Sequence, residues 1–516
     1  MKIKTNTRKL KYGGVSLVLT VLVLTAVVIL NVIVAALGQR YEWMYKDMTS
    51  SLVYSVSEDY EAYISDFIVP DVVRAREEKG NKEKVKIIFC DSAENIKADV
   101  SQKYVYGSVE DICELFGDYI EIAHINIWEQ PSLAREYGAS STADIVCAFD
   151  GRYEALNVND FFIFSADGSE AVAYNGEKML AAALMRVTQK DTPVCYLTAN
   201  HGEEFADYEF LLSLVQAGYE FSYIDLSSDN IPEDCELLIT YDPKQDLISA
   251  NEFSSISEVD KIENYMNNGG KYMVFLSADT FASGARENLE GFLSGWGVNY
   301  SHRTGEEGIE ECYLIKDPSN SLTIDGYTVL SKIAGNDTAK AIFASLERPN
   351  VFGNTTAMTV ADSFKDNGRG QFVANVGGRE RIVSPLLESY ESAEAWAGGR
   401  AVKRAGDDPF MLMSVTAQEC ENGETAMLLA SASVDFATES AMKSAVIGNS
   451  RAISSIYQFM GKENAPTRLV FKPFASTEIE SLTTSSANTI TVVLALAPAL
   501  LFGILGVVVT VRRRNL

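Results

Sequence analysis

Two long stretches without a charged side chain stand near opposite ends of the chain, and they limit its architecture more than any other feature. Residues 15–37 are apolar apart from Ser16, Thr20, Thr25 and Asn31. At helical rise such a run spans roughly 35 Å, enough to cross a bilayer. Residues 490–511 form the second run, with Thr491 and Thr510 as its only polar side chains and with Pro498 and Gly503, which a membrane helix tolerates. The alternatives are buried core helices or, for the first run, a cleaved signal peptide, whose apolar region is shorter. Lys2, Lys4, Arg8, Lys9 and Lys11 precede the first run, and Arg512, Arg513 and Arg514 follow the second. Positive flanks stay inside, so the expected arrangement is a two-pass protein of the plasma membrane with both termini cytoplasmic and a large domain outside.

Taking those eight basic residues from the total of 44 leaves 36 against 71 acidic residues in the outer part. A body this acidic repels phosphate backbones, which excludes nucleic acid as a partner, and is poorly suited to lying flat on anionic lipid. Hydrophobic residues at 47% and only 12 prolines in 516 residues exclude a disordered or collagen-like chain and leave room for several globular cores. The seven cysteines are scattered singly, without C-x-x-C, so neither a disulfide framework nor a zinc site is signalled.

Between the apolar runs the pattern divides into three. Residues 41–190 alternate strands (84–90, 119–127, 143–149) with helices (58–68, 108–116), and an amphipathic helix over 175–187 leads onward. Residues 191–300 carry a cleaner doubly wound α/β pattern, with strands at 193–199, 219–226, 236–241 and 271–277 and helices at 207–217, 259–267 and 288–296. Residues 301–475 are strand-rich, with one helix over 452–460. Residues 476–489, rich in Ser and Thr, read as a stalk to the second apolar run. Residues 1–14 and 512–516 complete the chain as basic cytoplasmic ends.

Motifs for catalysis are mostly missing. There is no G-x-x-x-x-G-K-[ST], so no nucleotide is expected to bind directly, and there is no G-x-S-x-G or H-E-x-x-H. With only His124, His201 and His302 present, few nucleophiles could find an imidazole base. No catalytic residue, metal ligand or cofactor is assigned. The best candidate for a ligand or partner is the turn Asn200, His201, Gly202, Glu203 and Glu204, which leaves the first wound strand at the sheet edge that ligands prefer. It also reads as a turn in which Gly202 takes a special backbone angle and the carboxylates favour the coming helix. Asp225, Asp242 and Asp279 end neighbouring strands and could gather at the same edge, or simply be solvated strand ends. Cys195 lies mid-strand and should point into a packed layer.

The order of segments resembles the GldG-like auxiliary membrane component of bacterial ABC transporters. The resemblance rests on the basic start and first apolar run, Tyr-Ser-Val-Ser-Glu at 54–58, Asn175-Gly176-Glu177, and Tyr-Leu-Thr-Ala-Asn-His-Gly-Glu at 196–203. Gly269-Gly270-Lys271, Glu-Ser-Ala-Glu-Ala-Trp at 391–396 and the closing run with its three arginines complete it. Asn200 departs from the pattern, standing where the family commonly has Gly. The resemblance implies a thioredoxin-like layer without redox cysteines over 41–190, then a domain similar to class I glutamine amidotransferases without the cysteine nucleophile. It implies a non-catalytic auxiliary subunit that associates with an ABC permease and a separate ATPase and takes part in transport. The competing reading is a membrane-anchored surface hydrolase or amidase that uses His201.

Overall fold

The computed structural model describes residues 25, 29 and 55–474, apart from 166–168, 204–205, 251–256, 282–285, 305–309, 407, 445, 467–468 and 470. After a helical segment over 58–79, strands β1 (Val85–Phe89), β2 (Ile120–His124), β3 (Asp144–Phe149) and β4 (Arg152–Asn157) form a four-stranded sheet in the order β2-β1-β3-β4. The pair β1/β2 is parallel and β3 is antiparallel to both β1 and β4. Strands β5 (Phe162–Phe164) and β6 (Ala171–Tyr174) make an antiparallel hairpin beyond it.

The helix Gly176–Thr188 follows, and almost its whole circumference is buried, Glu177 and Lys178 included. An unbroken apolar run from Met179 to Met185, three alanines flanked by Met and Leu on either side, suits a helix with neighbours on every side. The amphipathic helix read from the sequence is in fact a core helix.

The next strands are β7 (Val194–Thr198), β8 (Glu220–Ile224), β9 (Cys235–Tyr241) and β10 (Lys271–Phe275), all parallel, in the order β8-β7-β9-β10. β7, β9 and β10 are largely buried on both faces, which is why they read as nearly unbroken apolar runs, whereas β8 at the edge is exposed except at Ile224. Leu237, Ile239 and Phe275 face one core with Phe210 and Leu214 of the helix Tyr208–Gln216, whereas Leu238, Tyr272 and Val274 face another with Ile262 and Met266. Each such side chain fully withdrawn from water contributes about 1.5–3 kcal/mol.

Two parts of the expected architecture are corrected. First, the doubly wound sheet expected over 191–300 does not stand as a sheet of its own but runs on into the strand-rich part. The strand Thr425–Ser431 pairs in parallel with β10 on one side and antiparallel with Met411–Glu419 on the other, and the sheet continues through Arg379–Glu388 and Thr328–Ile333 to Asn350–Gly353. The result is one mixed sheet of 13 strands within a mixed α/β fold of several sheets. Period-two patterning identifies strands but carries no information about partners 150 residues away. Second, no helix among the described residues is long and apolar enough to cross a membrane, so the described fold is a mixed α/β one in which the expected two-span anchor is not shown. The longest single α-helix among the described residues, Val100–Phe116, has 17 residues and carries Lys103, Glu110, Asp111 and Glu114, against about 20 apolar residues needed to span. The expected spans at 15–37 and 490–511, apart from residues 25 and 29, and the stalk at 476–489 lie outside the described residues.

Candidate functional site

Strand β7 delivers the turn at the carboxyl end of the parallel strands. Asn200 takes φ +84° and Gly202 φ +70°, so the chain reverses through two left-handed positions within three residues. Asn is among the few side chains that tolerate this region, so it keeps a conformation for which Gly is the default. A Cβ on Gly202 would also stand 3.2 Å from Lys244 Cβ. The backbone carbonyl of His201 accepts from the N–H groups of Lys244 and Gln245 at 2.9 and 2.7 Å, tying the turn to the segment after β9.

His201 is buried, and both of its ring nitrogens are taken. Nδ1 lies 3.0 Å from Glu203 Oε1 and Nε2 lies 2.8 Å from Glu258 Oε2. Burial alone pushes the imidazole pKa down, but hydrogen bonds to the two carboxylates and their charges overcome it and raise it to about 10. His201 is therefore an imidazolium that donates from both nitrogens. Glu203 is held below the usual carboxylate range: burial raises it, and the hydrogen bond from His201 leads the contributions that outweigh burial. Its Oε2 also accepts the His201 backbone N–H at 2.6 Å, and its Oε1 lies 3.1 Å from the Thr198 hydroxyl. From there a buried hydroxyl chain runs through Thr240 to Tyr272 at 3.0 and 2.8 Å.

Glu258 is fully buried at the start of the helix Glu258–Asn267; its Oε2 accepts the Ile248 N–H at 2.7 Å, whereas its Oε1 has no partner among the described residues. This carboxylate, 57 residues downstream of His201, is what sequence reasoning missed. Its only local signal is an acid in a first helical turn, which is common for reasons of helix polarity alone.

The predicted acids separate. Asp225 accepts from Asn200 Nδ2 at 2.7 Å and from the Ser227 hydroxyl and N–H, and the Ser227 hydroxyl is the main cause of its lowered pKa. Asp242, at φ +51°, accepts from the Thr280 hydroxyl at 2.6 Å and from Lys244 Nζ. Asp279 is exposed, and Glu204 lies outside the described residues. Asp242 and Asp279 do share an influence on Asp435, whose pKa burial raises first and whose acidic neighbours, with Asp207, raise further. Among the described residues no group of His, Cys, Asp or Glu could hold a metal ion. Cys195 is wholly buried and its thiol is pushed well above its ordinary pKa by burial and then by Cys235, so it supplies no thiolate to this edge.

Other segments of the family resemblance meet elsewhere. Glu177 accepts the Ser57 N–H and hydroxyl at 2.8 and 2.6 Å and Lys472 Nζ at 2.6 Å, and Lys472 also donates to the Ser55 carbonyl at 2.6 Å. The two ends of the described body are thus tied through one buried carboxylate. Gly176 beside it is obligatory, since a Cβ there would sit 2.1 Å from the Tyr174 ring and hydroxyl. In the 391–396 segment, Ala393 and Ala395 are buried and the Ser392 hydroxyl donates to buried Asp317 at 2.7 Å, a packing role.

Residues 186–315 match the model of a family described as an ABC-type uncharacterized transport system. That stretch is about a quarter of the chain; it opens within the helix Gly176–Thr188 and includes β7 to β10 with the whole His201 turn. No curated protein matches the chain significantly. Among solved structures, the mmIFT52 N-terminal domain is 12% identical, with 52% of this chain and 96% of that one covered at a TM-score of 0.36. A cytoplasmic protein from Salmonella typhimurium is 11% identical, with 52% and 98% covered at a TM-score of 0.30. PurLQS from Thermotoga maritima is 12% identical, with 54% and 96% covered at a TM-score of 0.23. All three likenesses are too distant to carry fold or function across.

Proposed function

We propose that the protein is a non-catalytic auxiliary subunit of an ABC-type transport system, of the GldG-like kind, working at the plasma membrane with a large acidic extracytoplasmic domain. A permease forms the path and a separate ATPase supplies the energy. The observation that carries this reading is the family match over the wound sheet and its ligand edge. The geometry of that edge supports it. A general base needs a ring nitrogen free to accept a proton, whereas both nitrogens of His201 donate to carboxylates. A covalent mechanism needs an accessible nucleophile, and Cys195, in the strand that leads to the turn, is wholly buried. The turn therefore braces the sheet edge and presents Asn200 and Gly202, both exposed, to a partner.

The full chain and its His201→Ala variant are to be assayed against amide, ester and glycoside panels. The expected result is no turnover by either. Turnover by the native chain that the variant loses while keeping its melting temperature would overturn the reading.

A further inference from the structure

The buried helix Gly176–Thr188 carries two adjacent charges with opposite fates. Glu177 is paired with Lys472 and hydrogen-bonded by Ser57, but Lys178, only 9% exposed, makes no hydrogen bond or ion pair among the described residues. Its side chain lines a cleft of about 1200 Å³ between the hairpin β5/β6, the helix Tyr208–Gln216 and the helix Asn449–Phe459. Arg451 lines the same cleft, and its Nε is buried with no partner among the described residues. Arg451 is near enough for its charge to act on Lys178. Glu209, the acid that acts on Lys178, is bound to Lys443 at 2.9 Å, and Glu347 and Asp59 favour the charge of Arg451 without bonding to it. Burial first, and then Arg451, hold the Lys178 ammonium down at about 8 against the pull of Glu209.

Two cations that line one cleft without a bonded carboxylate among the described residues are costly where they are buried unless an anion completes them. The mouth adds a second requirement, because Phe164, Val172 and Tyr208, which line it, are among the exposed large apolar side chains of the described residues. We propose that this cleft binds a small organic anion, with a carboxylate or phosphate head between Lys178 and Arg451 and an apolar body against Phe164, Val172 and Tyr208. The site is independent of the His201 edge and of the transport reading.

Calorimetric titration of the full chain with octyl phosphate, octanoate and inorganic phosphate tests this. Octyl phosphate or octanoate should bind saturably, inorganic phosphate more weakly for want of an apolar body. Lys178→Met and Arg451→Gln should each weaken binding about ten- to a hundred-fold, as expected for a hydrogen bond to a charged group. Without ligand, Lys178→Met should melt at the same temperature as the native chain or higher, because a buried unpaired charge is gone. If that variant does not fold, Arg451→Gln alone decides. Phosphatidylcholine vesicles doped with phosphatidic acid distinguish the source of the head group: binding that depends on Lys178 assigns a lipid, and binding of soluble probes alone assigns a free metabolite. No saturable binding of any probe, or binding unchanged in the variants, would overturn the proposal.

Discussion

Replacing His201 with alanine removes the one cation between two buried carboxylates, and their other partners determine what remains. Glu203 keeps the His201 backbone N–H at 2.6 Å and the Thr198 hydroxyl at 3.1 Å. Among the described residues Glu258 keeps only the Ile248 N–H at 2.7 Å, and its Oε1 has no partner there even in the native protein. The cost therefore falls on Glu258, a fully buried charge left almost alone. Breaking a buried ion pair in this way costs about 3–5 kcal/mol. With about 2–4 °C of melting temperature per kcal/mol in domains of 150–250 residues, a drop of at least several degrees is expected. Thermal and urea unfolding followed by circular dichroism would measure it. Adding Glu258→Gln to His201→Ala should recover part of the loss, because the stranded charge is then gone. A single-variant loss below about 1 kcal/mol, within the range of an exposed ion pair, or no recovery in the double variant would refute the view that His201 is a buried brace.

The pH dependence has a definite sign. The folded-state pKa of His201 is raised to about 10, so its contribution is fully present below its ordinary value near 6.5 and is lost as pH rises through about 10, at no more than about 1.4 kcal/mol per pH unit. That of Glu203 is lowered, so its contribution is present above the ordinary carboxylate range and is lost as pH falls through the folded value. The gap between native and His201→Ala stability should therefore be widest near pH 6 and narrow toward both extremes, as read from urea midpoints across pH. Glu177→Ala should cost about 3–5 kcal/mol, since it leaves Lys472 buried without its carboxylate, and limited proteolysis should then cleave first near residues 55–57 or 472. Gly176→Ala should destabilise by about 1–3 kcal/mol or more through the clash with Tyr174, seen as a lower melting temperature. Cys195 should resist alkylation in the folded chain and react only after denaturation, as mass spectrometry of iodoacetamide-treated protein would record.

What could be read from the sequence follows the range of the interactions involved. The wound strands announce themselves because burial on both faces writes apolar runs such as Tyr272 to Leu276, and glycines mark the helix ends that precede them. The turn at 200–203 is visible as a sheet-edge feature for the same local reason. Glu258 and the Ser57–Glu177–Lys472 tie were not legible, because each joins segments 57 to 295 residues apart through single side chains that look ordinary in their own neighbourhoods. The buried helix Gly176–Thr188 was misread as amphipathic since Glu177 and Lys178 look like a solvated face until one finds its partners and the other opens into a cleft. The merging of the strand-rich part into the main sheet was equally hidden. It depends on Thr425–Ser431 choosing β10, and the choice is made by packing across the whole sheet rather than by any local pattern.

The auxiliary-subunit reading is tested most directly by purifying the full chain from its native membranes in mild detergent and identifying what remains bound by mass spectrometry. The expected result is co-purification of a multispan permease and a P-loop ATPase, with ATP hydrolysis in the recovered complex and none by the chain alone. Repeated recovery of the chain without either partner, or a hydrolytic activity that stays with the isolated chain, would contradict it.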